Sequence, residues 1–444
     1  MTPSPRPIVY QQRRQRLAQR MNGGALVLHG GSVQTRSNDT EFRFRPDSDF
    51  YYLTGLVEPG AVFVFRPGHD PESTLFVRPR DAEAEVWSGR RKGPQGVVDE
   101  GRAEQAFDVA QLKQELPRLL EGASTVYIPL GRARSVERSV LSAVQLLRRR
   151  NRDGQRAPES LTHVEALLGP ERLVKDEAAI EDLRRAVEIS SLAHMDAMRF
   201  CRPDRFEYEI EAIMDCRFRM AGSTGPGYTS IVGGGDNATI LHYVENSSRL
   251  QGGDLLLIDA GCEWEQFTGD ITRTFPVNGT FSGAQRELYQ LVLAANVAAI
   301  EQCRVGASIN GIHRDCVARL AQGLLDLGLL QGSLDEIIEN KQYRRYYMHR
   351  TSHWLGADVH DVGPYTVDQV DVPLAPGHAL TIEPGLYVAA GDTEAPAAFR
   401  GIGIRIEDDV LVREDGPEVL SHAVPKAIDE LEAIVGSADA ITFG

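Results

Sequence analysis

Cysteine is scarce and unorganised in this chain. Its five cysteines, Cys201, Cys216, Cys262, Cys303 and Cys316, are odd in number and scattered, with no C-x-x-C pair. That argues against a disulfide frame and leaves reduced core residues. No apolar run approaches the length needed to span a bilayer. The first twenty residues carry five arginines and lack the apolar stretch of a secretory signal. Cytoplasm is the expected location, with no membrane partner. Basic charge is in deficit: 48 Lys and Arg stand against 63 Asp and Glu, a formal charge of −15. That balance argues against a nucleic-acid partner. The glycine run Gly233-Gly-Gly-Asp236 lacks the G-x-x-x-x-G-K-[ST] spacing of a phosphate loop and reads as a plain loop.

What is present is a soluble-type composition, 42% hydrophobic and 25% charged, over 444 residues. That length exceeds one ordinary core, so two domains are expected. The fold class is α/β (α+β), with a smaller N-terminal α/β domain over 1–170 and a second domain over 171–444. Pro7 to Met21 reads as a helix. Ala25–His29, Ala61–Arg66, Thr74–Arg78 and Thr125–Leu130 read as strands, and 135–149 as a helix. The run Arg148 to Arg152 reads as a solvated helix C-terminus, where cations complement the dipole. Asn151 to Ala157, with the turn signal Asp153-Gly154, is the expected hinge region. A helical pattern starts near Asp176, and a second follows the capping box Ser282 to Gln285.

The most informative segment holds two aspartates. Leu255-Leu-Leu-Ile-Asp259 leads into a turn and returns through Gly269-Asp270-Ile-Thr-Arg-Thr-Phe275. A turn centred between Trp264 and Glu265 sets Asp259 opposite Asp270, roughly 5 Å apart at Cβ. Like charges so placed call for a cation. The alternative is a differently placed turn with one Asp solvated in the loop. Further on, Met348 to Gly363 carries His349, His353 and His360. Glu383 ends the apolar strand Ala379 to Ile382, and Glu407 lies within Ile402 to Val412. An unpaired carboxylate among Ile and Leu is costly. Taken singly, each could be a salt-bridge partner or a solvated strand end. Together, two Asp, two Glu and one His suit a pair of hard or borderline ions such as Mn²⁺ better than structural zinc.

These residues carry a resemblance. Asp259, Asp270, His353, Glu383 and Glu407 resemble, in order and local sequence, the five metal ligands of the pita-bread metallopeptidases. The closer likeness is to the aminopeptidase P (Xaa-Pro aminopeptidase) branch. It is carried by Ile240-Leu-His-Tyr243 with Glu245-Asn246, by Asp259-Ala-Gly through Gly269-Asp-Ile-Thr-Arg-Thr-Phe-Pro276, and by Ser352-His-Trp-Leu-Gly with Asp358-Val-His-Asp-Val-Gly. Glu383-Pro-Gly-Leu-Tyr and Gly403-Ile-Arg-Ile-Glu-Asp-Asp complete the set. Ser48-Asp-Phe-Tyr-Tyr-Leu-Thr-Gly and Glu85-Val-Trp-Ser-Gly-Arg-Arg resemble its leading domain, so the likeness covers nearly the whole chain. One departure is Arg350-Thr351, where smaller or apolar residues are more usual.

The resemblance implies a C-terminal pita-bread catalytic domain of two α/β halves related by a pseudo-twofold axis. No repeat is visible in the sequence itself. It implies hydrolysis of the N-terminal Xaa-Pro bond by a hydroxide bridging two metal ions, most simply Mn²⁺. Asp259 and Asp270 would hold one ion and His353 and Glu383 the other, with Asp270 and Glu407 bridging. Glu383 would shuttle the proton, His360 would bind the carbonyl or the tetrahedral intermediate, and His242 and His349 would line the proline pocket. Arg405 would support the site, and Tyr228 would lie near the bound amine. The acidic composition suits a positively charged peptide N-terminus. Asp39 and Trp87 of a neighbouring subunit would close the site, which implies a homo-oligomer, a tetramer or dimer. Otherwise they are a surface Asp and a core Trp, and His242 is a satisfied core histidine. His194 and His313 receive no role. The rival within the class is a prolidase restricted to dipeptides, and the rival outside it is a non-catalytic pita-bread peptide binder. Cleavage of proline-like phosphorus esters would be only a side activity of the same site.

Overall fold

A computed structural model describes residues 6–438. The chain divides after Arg172 into two compact units. The first is built on a six-stranded mixed sheet. Its strands lie in the order Gln105–Asp108, Ser73–Val77, Val62–Phe65, Ala25–His29, Thr125–Ile128, Ser160–His163. Alternate residues feed two separate cores. Leu26, Leu28, Phe63 and Phe65 pack in one cluster, while Val27, Val62, Val64 and Phe76 pack in the other. Burial on both faces is why these strands read as unbroken apolar runs.

Helices cover both faces. Pro7–Ala18 stops three residues short of the expected Met21. Arg134–Arg149 ends in the exposed run Arg148 to Arg152, a solvated helix end. The hinge expected at Asn151 to Ala157 is corrected by the structure. That stretch opens with the short turn Asn151–Asp153, after which Ser160–His163 joins the sheet parallel to Thr125–Ile128. A strand after the segment keeps it inside the first unit.

In the second unit one sequence of elements occurs twice. Helices Glu177–Phe200 and Glu207–Met220 precede the antiparallel strands Ile231–Gly234, Leu255–Asp259 and Thr272–Pro276. Helices Gly283–Glu301 and Ile309–Asp326 precede Ala379–Ile382, Asp408–Arg413 and Gly416–Val419. Asp176 caps the first of these helices by accepting from Ala179 N at 2.9 Å, and Ser282 caps the third in a capping box. Among the described residues no helix is long and apolar enough to cross a membrane. All five cysteines are free.

The two halves are tied by Arg273, whose side chain is fully buried. Its guanidinium pairs with Asp408 at 2.7 Å and donates to the Glu407 carbonyl at 2.6 Å. Thr272 and Glu407 form an isolated antiparallel bridge beside it. Burial alone would raise the Asp408 pKa. The charges of Arg273 and Lys426 outweigh it and hold this carboxyl well below its ordinary 3.8. A depressed carboxylate stabilises the fold above that ordinary value, and the contribution is lost as pH falls through the folded value. Replacing Arg273 by Leu removes the fully buried partner of Asp408, leaving Lys426 and Ser421, and takes away the donor to the Glu407 carbonyl; the change is expected to cost about 3–5 kcal/mol. Urea unfolding at pH 7 checks this, and a loss under 1 kcal/mol would contradict the assignment.

Candidate metal centre

Both acidic pairs sit where a β-ladder opens. Asp259 ends the strand Leu255–Asp259 and pairs with Thr272, not with Asp270. The expected turn was therefore one residue off. Trp264 stays in the ladder opposite Phe267, and the two-residue turn is Glu265-Gln266, with φ of 49° and 67°. Glu-Gln carries none of the Asn-Gly signature that marks such a turn. Asp270 lies two residues before Thr272, so it is the diagonal neighbour of Asp259 on the same face.

Between the two aspartates the ladder closes on glycine. A Cβ on Gly261 would lie 1.7 Å from the Gly269 carbonyl oxygen. The second half repeats the device. Ile382 pairs with Asp408 and Gly385 with Arg405 in one register, which sets Glu383 opposite Glu407 at the opening. His353 runs beside the same strand: Thr381 N donates to its carbonyl at 3.0 Å, and Glu383 N donates to the Thr351 carbonyl at 2.8 Å.

The openings are plugged from behind by helix side chains that sequence reasoning missed. In the helix Glu177–Phe200, Ser190 accepts from Cys262 N at 2.9 Å, and His194 Nε2 lies 2.9 Å from the Ala260 carbonyl. Burial pushes the His194 pKa down to about 4, so the ring is a neutral donor there. In the helix Gly283–Glu301, Asn296 donates to the carbonyls of Ile382 and Ile406 at 3.1 and 3.2 Å, and accepts from Lys426 at 2.8 Å. The available signal was a polar residue on an otherwise apolar helix face. His313 bonds Thr351 Oγ1 at 2.8 Å.

The result is one cavity of about 830 Å³ whose lining includes Tyr228, His242, Asp259, Asp270, His349, His353, His360, Glu383, Arg405 and Glu407. Asp270, His353 and Glu407 offer ligand atoms within 4.8 Å of one another. His353 Nε2 lies 3.3 Å from Asp270 and 3.7 Å from Glu383. Tyr228 OH lies 2.7 Å from Asp259 and 2.5 Å from Asp270, one proton shared between two carboxylates. Arg405 pairs with Asp259 at 2.6 Å and donates to Tyr387 OH at 3.0 Å. His349 Nε2 is 2.8 Å from that hydroxyl, and its Nδ1 donates to the Arg350 carbonyl at 2.7 Å. The His353 and His360 rings meet edge to face at 4.4 Å. His242 is exposed on a loop anchored by Asn246, which accepts from Val232 N at 3.0 Å. Asp39 and Trp87 belong to the first unit. Asp39 is exposed in the tip between Thr35–Ser37 and Thr40–Glu41, and Trp87 is 87% exposed, which excludes the core-Trp alternative.

The electrostatics fit a cation. Burial, then neighbouring carboxylates, push the Glu407 pKa well above its ordinary value, and Asp270 is raised chiefly by burial. Glu383 is raised to about 7 by burial, with Asp270 and Asp259 adding to it. Burial alone would lower His353. Its hydrogen bond to Asp270 and the charges of Glu383 and Asp270 outweigh that and raise it to about 9. Four carboxylates facing one imidazole are a donor set short of positive charge, and the all-oxygen-and-nitrogen chemistry suits a hard or borderline ion.

Comparison with known proteins agrees. Residues 181–414 match the profile of metallopeptidase family M24, and residues 10–127 match the aminopeptidase P N-terminal domain. The chain belongs to the M24 metallopeptidases. It is 43% identical to the Xaa-Pro aminopeptidase of Escherichia coli K12, covering 97% of this chain and 98% of that one, and 40% identical to the Haemophilus influenzae Xaa-Pro aminopeptidase, covering 96% of each. A solved Pseudomonas aeruginosa aminopeptidase superposes with a TM-score of 0.95 at 43% identity, covering 98% of both chains. The E. coli aminopeptidase P with the inhibitor Pro-Leu gives 0.92 at 42%, covering 96% and 98%. Replacing Asn296 by Leu removes the donors behind Glu383 and Glu407. This change is expected to weaken divalent-cation binding about 10- to 100-fold in a chelator competition. Wild-type affinity in that variant would contradict the role of the plug.

Proposed function

We propose that this metallopeptidase hydrolyses the N-terminal Xaa-Pro bond of peptides with proline in second position, releasing the first residue. The convergence of Asp259, Asp270, His353, Glu383 and Glu407 on one cavity carries this reading. The names of the similar enzymes give the substrate class. Asp259 and Asp270 would hold one ion and His353 and Glu383 another, Mn²⁺ in both cases, with Asp270 and Glu407 serving both. Such ions supply Lewis-acid polarisation of a carbonyl and a water acidified to near-neutral pH.

The side chains do the rest. Glu383 takes a proton from the attacking water and delivers it to the proline nitrogen, a task open to a carboxylate that can hold an ion through one oxygen and a proton through the other. His360, exposed beside His353, donates to the oxygen that gains charge in the transition state. His349 and His242 border the proline ring, and Tyr228 orients Asp259 and Asp270 at the substrate's amine end. Arg405 holds Asp259 in place and restrains the Tyr387 hydroxyl that fixes His349. A tertiary X-Pro amide has no N–H and populates cis more readily than other peptide bonds, so the site needs a ring pocket and no partner for that hydrogen. The exposed Asp39 and Trp87 act in this reading from a neighbouring subunit of a dimer or tetramer.

An Xaa-Pro-Xaa tripeptide tests the reading. Wild-type protein with Mn²⁺ is expected to release the first residue. Glu407→Ala and Asp270→Ala are expected to lose bound metal and more than the roughly 100-fold of activity typical of losing a group that only supports a ligand. Turnover confined to Xaa-Pro dipeptides would instead indicate a prolidase.

A further inference from the structure

Arg350 is the residue whose type departs from the resemblance, and the reaction described above leaves it without a task. Among the described residues, Arg350 and Arg405 are the two Arg or Lys side chains that line the cavity. Arg405 is buried and committed to Asp259. Arg350 is exposed at the cavity wall, and no carboxylate of the described residues lies within ion-pair distance of it.

Its position is nonetheless fixed. A guanidinium N–H donates to the side-chain oxygen of Asn310, which also lines the cavity. Asn310 is in turn held by Asp371, to which its amide donates at 2.7 Å. The Arg350 carbonyl accepts from His349, and the next residue, Thr351, is buried against His313 and Tyr347. A guanidinium presents five N–H donors in a rigid fork, and Asn310 occupies a single acceptor position. The unused donors form an anchored cationic fork beside a site otherwise rich in acid, and a fork of this shape matches a carboxylate in two-point contact.

From this geometry we infer that Arg350 binds a carboxylate of the peptide substrate, namely the C-terminal carboxylate of a short peptide. The inference rests on the function proposed above. Size favours short peptides: about 830 Å³ is within the usual range for small-molecule sites. A short zwitterionic peptide would put its ammonium among the site's carboxylates and its carboxylate on Arg350. An acidic side chain after proline offers the same chemistry, and the experiment separates the two sources.

The test compares kcat/KM of wild type, Arg350→Ala and Arg350→Lys on Ala-Pro-Ala, on its C-terminal amide, and on Ala-Pro-Glu amide. Wild type is expected to prefer the free acid over the amide by about tenfold or more, mainly through KM. Arg350→Ala is expected to bring that ratio near one, and Arg350→Lys to restore part of it as a point charge. An Arg350-dependent gain confined to the glutamyl amide would overturn the C-terminal assignment. So would equal acid-to-amide ratios in wild type and Arg350→Ala. Calorimetric binding of Pro-Leu and its amide to the same proteins supplies a readout that needs no turnover. An Arg350-dependent preference for the free acid in binding, without cleavage of any peptide, would support the inference and refute the proposed function instead.

Discussion

Mutual repulsion among buried carboxylates is the constraint around which the second unit is organised. Asp259 and Asp270 are diagonal neighbours on one ladder, and Glu383 and Glu407 face each other on another. Asp270 and Glu407 are nearly inaccessible to solvent. Protein interiors do not accept such a set unless positive charge or protons balance it. His353 is drawn towards Asp270 and Glu383, and His349 Nδ1 lies 3.5 Å from Glu383. Arg405 offsets Asp259 from the other side. The remaining deficit defines the site as a place for a divalent cation.

Holding these groups together demands rigid backbone at places where regular structure has been given up. Each ladder opens at its carboxylates, and each opening frees backbone groups that must find partners. His194 and Ser190 serve the first, and Asn296 serves the second. Arg273 then locks one half to the other through the Glu407 carbonyl and Asp408. The duplicated order of helix pair and sheet gives both openings the same kind of support from behind. A small shift in either half would change the spacing of all four acids, so stability and site geometry are one problem here.

Much of this was legible in the sequence, for identifiable reasons. Apolar strands that end in a carboxylate, such as Leu255 to Asp259 and Ala379 to Glu383, announce a buried charge with a task. The five proposed ligands line one cavity with Tyr228, His242, His349, His360 and Arg405, whereas Asp39 and Trp87 are exposed residues of the first unit. The register was misread because Glu265-Gln266 adopts left-handed backbone without glycine or asparagine to signal it. The hinge was misplaced because Asp153-Gly154 is a real turn, yet the chain afterwards returns to the sheet through Ser160–His163. His194 and Asn296 stand out in the sequence only as polar residues on apolar helix faces, and their roles depend on which carbonyls lie behind them, a fact of tertiary packing. Arg350 could be singled out as unusual, but that no carboxylate of the described residues lies within ion-pair distance of it appears only once the cavity is assembled.

The most direct test strips the protein with a chelator and dialyses it to equilibrium against Mn²⁺, counting bound ions and following thermal unfolding. Two ions per chain with a melting temperature that climbs as Mn²⁺ is added would support the account, because an ion bound only by the folded state stabilises it. A protein that retains no Mn²⁺ and melts at the same temperature throughout would show that the acidic cluster is balanced in some other way.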